Sequence, residues 1–198
     1  EERESKRTEL GLNGKILLGY LGGLQDYQCI EQTIELFHRI KETGLDVFLC
    51  IYTCDELSGI QEVLNDKGLD SSSFMIKCLS RSEVSIYTSI LDVGFLLREN
   101  KTINIVSSPT KGLEYLAAGN GLISTAYAGN IPDIISESAC GLILDDLDFS
   151  KRNLDLVRKF IVSHMATREQ SFNEARKLVQ HSYNWDSHFE SLKHIYSY

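Results

Sequence analysis

Short apolar runs alternate along the chain with longer segments of helical period, a pattern typical of βαβ units around a parallel sheet. Several runs are almost continuously apolar, as expected for strands that are covered on both faces. The pattern predicts a doubly wound, Rossmann-like α/β fold with six parallel strands. The predicted strands are Lys15–Leu21, Asp46–Tyr52, Ser73–Leu79, Ile90–Leu97, Gly121–Thr125 and Cys140–Leu144.

The helical segments are recognised by apolar residues at steps of three and four. Between the first two strands, Ile30, Ile34, Phe37 and Ile40 form one stripe on a helix that ends at Gly44. The pattern changes after the last strand, where consecutive helices follow with no further strand. The other predicted helices are Asp55–Lys67, Ser82–Ser89, Pro109–Ala118, Phe149–Met165, Arg168–Val179 and Trp185–Tyr196.

The totals fit one globular domain, because 198 residues with 42% hydrophobic and 24% charged residues allow a sizeable core. A net charge of -8 opposes binding to nucleic acid or anionic lipid, so an anionic small ligand would need a local site. No apolar run approaches the ~20 residues of a membrane span, and the first residues are charged. We therefore expect a cytoplasmic location, no nucleic-acid partner and no membrane span.

Five cysteines occur without a C-x-x-C pair or a matching histidine cluster. Three of them lie inside apolar segments, and free cysteine is among the most buried residue types. The sequence therefore predicts reduced core thiols, as in a cytosolic protein, and no metal site or redox motif. The five residues are Cys29, Cys50, Cys54, Cys78 and Cys140.

Strand order 3-2-1-4-5-6 would place a ligand beyond the carboxyl ends of strands one and four, where the winding reverses. The loop after Leu21 begins with Gly22 and Gly23 and lacks the G-x-G-x-x-G fingerprint. These glycines would let the backbone approach an anion closely, although a turn or tight packing explains them equally well.

The loop after Leu97 leads to a helix for which Ser108 is the expected N-cap and Pro109 the first residue. The free N–H groups of its first turn favour a phosphate. Lys111 opposes the helix dipole there, so it is either an anion ligand or a solvated lysine. Glu114, one turn later, is expected to accept hydrogen bonds from a ribose; an internal salt bridge is the alternative.

The run SPTKGLEYLAAGNGLISTAYAGNIPDII, followed by GLIL, resembles the donor-site segment of retaining GT-B glycosyltransferases of family four, the glycosyl transferases group 1. The resemblance extends from about Lys15 to Tyr198. It implies that residues 15–198 are the C-terminal, donor-binding domain and that residues 1–14 are an N-terminal segment or linker. It also implies that the N-terminal GT-B domain, which would hold the acceptor, is absent from this chain.

The resemblance implies that the chain binds a nucleoside-diphosphate sugar, which a glycosyltransferase transfers to an acceptor hydroxyl with retention of configuration. No cofactor or metal is expected to be obligatory, and the isolated domain is expected to be inactive in transfer. Two rivals stay open: a nucleotide-sugar epimerase of the related GT-B type, and a non-catalytic nucleotide-binding or interaction module.

The resemblance also assigns roles to residues. Glu114 matches the glutamate that contacts the ribose, whereas the family's first glutamate falls at Val106, so Asn104, Ser107, Ser108 and Lys111 become candidates for the sugar. Arg98 and Lys111 would supply the positive charge for catalysis. The expected donor-binding residues are Gly22, Gly23, Ser108, Pro109, Thr110, Lys111, Glu114 and Arg81, the last of them where the family usually holds the base.

Overall fold

The computed structural model describes residues 2–136, 138–183, 189 and 193. Six parallel strands form one sheet in the order β3-β2-β1-β4-β5-β6, so the predicted order 3-2-1-4-5-6 is confirmed. The winding reverses between β1 and β4, which pair at Leu18 with Val93 and at Gly19 with Gly94. The strands are β1 Ile16–Leu21, β2 Val47–Tyr52, β3 Phe74–Lys77, β4 Val93–Leu96, β5 Gly121–Thr125 and β6 Gly141–Leu144.

Helices cover both faces of the sheet, because the strands present apolar side chains on each side. The helices are α1 Glu2–Glu9, α2 Ile30–Glu42, α3 Ser58–Asp66, α4 Val84–Ser89, α5 Thr102–Ile105, α6 Thr110–Ala117, α7 Ile131–Ser136, α8 Lys151–Ala166 and α9 Arg168–Ser182. One core contains the apolar stripes of α2, α3 and α8, and the other contains those of α4, α6 and α7 with Ala175 of α9.

The predicted elements agree with this architecture except at their ends and in three short helices. The largest difference in a strand is at β4, which begins at Val93 instead of Ile90. The pattern did not predict α1, α5 or α7, because charged or short segments carry too few periodic positions. Most of the last predicted helix, Trp185–Tyr196, lies outside the described residues.

Two of the five cysteines depart from the expected reduced state, because Cys54 and Cys78 form a disulfide. They follow the neighbouring strands β2 and β3, whose parallel register pairs Tyr52 with Lys77 and so brings both cysteines to one edge. The prediction of free core thiols is wrong for this pair. It is confirmed for Cys29, Cys50 and Cys140, which are buried and free.

The segment before β1 packs against the sheet through two arginines of α1. Arg7 donates a 2.6 Å hydrogen bond to Asp92 Oδ2, and Arg3 donates a 2.8 Å hydrogen bond to Asp92 Oδ1. Arg168 of α9 lies 3.3 Å from the same carboxylate, which also accepts the Leu17 N–H. Asp92 thus joins α1, α9 and the amino ends of β1 and β4.

Asp92 keeps its charge although it is buried. Burial raises the pKa of its carboxyl, but the attraction of Arg7, Arg168 and Arg3 outweighs burial and leaves the pKa below its usual value.

No helix in the described part of the chain is both long and apolar enough to cross a bilayer.

Replacing Asp92 should destabilise the fold strongly, because Arg7 would be left buried without its partner. We expect Asp92→Asn to lower the free energy of unfolding by about 3–5 kcal/mol in urea titrations at pH 7. The exposed Asp66→Asn control should change it by less than about 0.5 kcal/mol. Because the folded pKa of Asp92 is depressed, the difference from wild type should shrink as the pH falls below about 4. A loss below about 1 kcal/mol at pH 7 would contradict this role.

Candidate functional site

The carboxyl ends of β1 and β4 lie beside α6, which approaches the sheet closely. The ring of Tyr115 packs on Gly94, where an added Cβ would come within 2.5 Å of ring atoms. The Tyr115 hydroxyl donates to the Gly19 carbonyl at 3.3 Å. Gly19 and Gly94 belong to β1 and β4, the two strands that flank the reversal. This packing positions the start of α6 at the predicted site.

The start of α6 differs by one residue from the prediction. Pro109 is the N-cap residue, without a side-chain cap, and the helix begins at Thr110. Ser108 does not cap it, because the Ser108 hydroxyl donates to Asn130 Oδ1 at 3.2 Å. Gly129 adopts a φ of 58° and packs against the Ser107 carbonyl, so the loop after β5 supports the segment before α6.

Two cations meet at this point through a neutral partner, Gln28. Lys111 Nζ donates to Gln28 Oε1, and Arg98 Nη1 donates to the Gln28 carbonyl at 3.2 Å and to the Leu97 carbonyl at 2.7 Å. Within the described residues neither cation forms an ion pair with a carboxylate. Two positive charges therefore lie together, and no carboxylate in the described part of the chain pairs with either of them.

The electrostatic state of the two cations follows from burial. Burial, together with the nearby charge of Arg98, lowers the pKa of Lys111 to about 8, although Glu114 and Asp55 act in the opposite direction. Arg98 as a whole residue is only 5% exposed, and burial lowers the pKa of its guanidinium. A guanidinium nevertheless stays charged at neutral pH. An anion at this point would favour the charged form of Lys111.

The glycine turn after β1 is held by Asp55, which follows β2. Asp55 Oδ2 accepts the Leu24 N–H at 2.7 Å and a hydrogen bond from Gln25 Nε2 at 3.2 Å. Gln25 Oε1 in turn accepts a 2.6 Å hydrogen bond from Gln28 Nε2. A continuous series of hydrogen bonds therefore runs from Asp55 to Lys111.

Two open clefts meet at the first residues of α6. The inner cleft, of about 290 Å³, runs between the glycine turn, the ends of β2 and β3, and α6. The outer cleft, of about 320 Å³, extends from Tyr27, Gln28 and Arg98 to the segment 103–109. Thr110 and Lys111 line both clefts. A ligand that occupied both clefts would therefore pass directly over the start of α6.

Most predicted site residues are brought together here. Gly22, Gly23 and Glu114 line the inner cleft, while Arg98, Ser108 and Pro109 line the outer cleft. All four residues predicted as candidates for contact with the sugar line the outer cleft: Asn104, Ser107, Ser108 and Lys111.

These positions bear on two of the alternatives and on the prediction for Arg81. Within the described part of the chain, the exposed Glu114 carboxylate has no hydrogen-bond or ion-pair partner, so the internal salt bridge is absent. Lys111 is partly buried and hydrogen-bonded, so it is not a fully solvated lysine. Arg81 is exposed and lines neither cleft.

Sequence reasoning missed Gln28 and Asp55. Gln28 lies in a 3₁₀ turn at Asp26–Gln28 that folds back towards Lys111, and no local pattern predicts such a contact. Asp55 carried a usable signal, because it follows β2 and the carboxyl ends of neighbouring parallel strands share an edge.

The described histidine side chains His38 and His164 line neither cleft. No cluster of three His, Cys, Asp or Glu residues able to hold a metal occurs among the residues described.

The chain is similar to known proteins over nearly its whole length. It is 24% identical to spore coat protein SA of Bacillus subtilis (strain 168), in an alignment that covers 98% of this chain and 52% of that protein. The structure matches WaaG, a glycosyltransferase involved in lipopolysaccharide biosynthesis, with a TM-score of 0.76 and 20% identity over 98% of this chain and 51% of WaaG.

A second solved structure, Anabaena Alr3699/HepE in complex with UDP-glucose, matches with a TM-score of 0.77 and 11% identity. That match covers 99% of this chain and 52% of HepE, so the chain spans about half the length of these relatives. The sequence model described as Glycosyl transferases group 1 matches residues 2–177. Since that match includes most of the chain, this protein belongs to the glycosyl transferases group 1 family.

Proposed function

We propose that this chain binds a nucleoside-diphosphate sugar as the donor half of a retaining glycosyltransferase. The observation that carries the proposal is the pair Lys111 and Arg98, which share the neutral partner Gln28 at the junction of two clefts. In a chain with a net charge of -8, two cations that have no carboxylate partner among the described residues are suited to an anionic ligand. The first turn of α6 adds backbone N–H groups, which favour a phosphate.

The two clefts suit the two ends of such a donor. The inner cleft offers Glu114 to ribose hydroxyls and Leu79 and Val84 to a base. The outer cleft offers Asn104 and Ser107 to a sugar, with Arg98 at its inner end. The diphosphate between them would lie at Thr110 and Lys111, which both clefts share.

The proposed chemistry is electrostatic. As the bond between the sugar and the diphosphate breaks, negative charge grows on the diphosphate, and Lys111, Arg98 and the α6 N–H groups would stabilise that charge. Retention of configuration is part of this proposal and rests on the resemblance to retaining GT-B glycosyltransferases, since no side-chain nucleophile is assigned. The acceptor would be held by the other half of a longer protein, since this chain spans about half of its relatives.

A calorimetric comparison of a nucleoside diphosphate with its nucleoside tests the phosphate position. UDP is the first probe, because HepE was solved with UDP-glucose; GDP, ADP and TDP follow. Lys111→Met should weaken UDP binding by about 10- to 100-fold, the loss of one charged hydrogen bond, and leave uridine binding unchanged. Lys159→Met on α8 removes the same charge elsewhere and should have no effect. Equal losses for UDP and uridine would move the phosphate away from Lys111.

The affinity for UDP should also depend on pH through Lys111. Its pKa of about 8 in the free protein means that the amine loses its charge as the pH rises above that value. The affinity should therefore fall between about pH 8 and pH 9.5, by at most about tenfold per pH unit. In Lys111→Arg the side chain stays charged, so the profile should be flat. A wild-type profile as flat as that of Lys111→Arg would show that Lys111 does not contact the diphosphate.

Glu114→Ala should weaken the binding of UDP and of uridine alike, because both contain the ribose. A lost charged hydrogen bond corresponds to roughly 1.5–3 kcal/mol of binding free energy. Thermal unfolding of the free protein should hardly change, since the carboxylate is exposed. Glu62→Ala on the exposed side of α3 is the matched control. If Glu114→Ala unfolds the protein but leaves the affinity of the remaining folded fraction intact, the ribose assignment is wrong.

A further inference from the structure

The Cys54–Cys78 disulfide lies at the wall of the inner cleft. Cys54 follows β2 and Cys78 follows β3, their Cα atoms are 4.5 Å apart, and both residues are exposed. Cys54 itself lines the inner cleft. The three other cysteines are buried and free, so this is the pair that a thiol in solution would reach.

On the Cys54 side, the disulfide is next to the residue that holds the glycine turn. Asp55 accepts the Leu24 N–H and a hydrogen bond from Gln25, and that series continues through Gln28 to Lys111. Cys54 to Leu57 are exposed. The Asp55 N–H also donates to Thr53 Oγ1 at 3.3 Å, so this exposed segment is held by three hydrogen bonds of Asp55 and by the disulfide beside it.

On the Cys78 side, the loop is held by its own contacts. Glu83 accepts the Ser80 N–H at 2.9 Å and the Ser80 hydroxyl at 2.8 Å, and Lys77 lies 3.2 Å from the same carboxylate. The disulfide thus ties the exposed segment after β2 to a loop that is already braced. We therefore expect that breaking the S–S bond loosens the segment after β2 more than the loop after β3.

We propose that Cys54–Cys78 is a reversible redox switch that sets the affinity of the inner cleft for the nucleotide, with the oxidised form binding more tightly. The proposal rests on the proposed function and adds a regulation to the same site. Reduction by a dithiol of the thioredoxin class breaks the protein S–S bond through a mixed disulfide, gives two cysteine thiols, and oxidises the dithiol to its disulfide. Two electrons and two protons pass from the dithiol to the protein, and a disulfide reagent reverses the step.

The test compares UDP binding by the oxidised protein, by the protein reduced with dithiothreitol, and by the reoxidised protein. We expect at least about fivefold weaker binding after reduction, a change typical of coupled sites, and recovery after reoxidation. The Cys54→Ser/Cys78→Ser variant is the matched control and should bind like the reduced protein under both conditions. Equal affinity of the oxidised and reduced wild-type protein would overturn the switch, as would five free thiols in the protein after treatment with a disulfide reagent.

Hydrogen exchange of the Leu24 amide, measured without nucleotide, separates this proposal from the proposed function. That amide donates to Asp55, so it should exchange faster in the reduced protein and in the double variant. If this amide exchanges faster after reduction but UDP binds in neither redox state, the proposed function is overturned. The effect of the disulfide on the Asp55 segment would still stand. Unchanged exchange would overturn the switch even if UDP binds.

Discussion

The contact between the Tyr115 ring and Gly94 is the constraint on which the site depends. Because β4 has no side chain at that point, α6 lies directly on the sheet, and the Tyr115 hydroxyl reaches the Gly19 carbonyl of β1. The helix therefore begins where the two central strands end. A bulkier residue at position 94 would lift α6 and separate Lys111 from Gln28, so the packing of the core determines the electrostatics of the clefts.

Because Gln28 is neutral, the positive charges of Lys111 and Arg98 stay available to a ligand. A carboxylate beside Lys111 and Arg98 would satisfy both cations and compete with an anionic ligand. Gln28 instead accepts from Lys111 with its side chain and from Arg98 with its carbonyl, so both cations are positioned without being neutralised. The cost is visible in Lys111, whose pKa is lowered to about 8 by burial and by Arg98.

The sheet and its strand order could be predicted from apolar runs, and the rule for open parallel sheets directed attention to the reversal, where the two clefts lie. Lys111 and Glu114 could be placed because both belong to the helix that starts at the site. Gln28 could not, since its role depends on a turn that folds back across the loop. Cys54 and Cys78 were missed because 24 residues separate them and only the pairing of β2 with β3 brings them together.

The cations at the two ends of the sheet differ in whether they have a carboxylate partner. At the amino end, Arg3, Arg7 and Arg168 each form an ion pair with the buried Asp92 carboxylate, and these ion pairs hold α1 and α9 to the strands. At the carboxyl end, Lys111 and Arg98 lack such a partner within the described residues. Paired charges hold buried elements in place, whereas unpaired charges next to open clefts can act on a ligand. The amino end therefore secures the fold, and the carboxyl end keeps positive charge available to an anionic ligand.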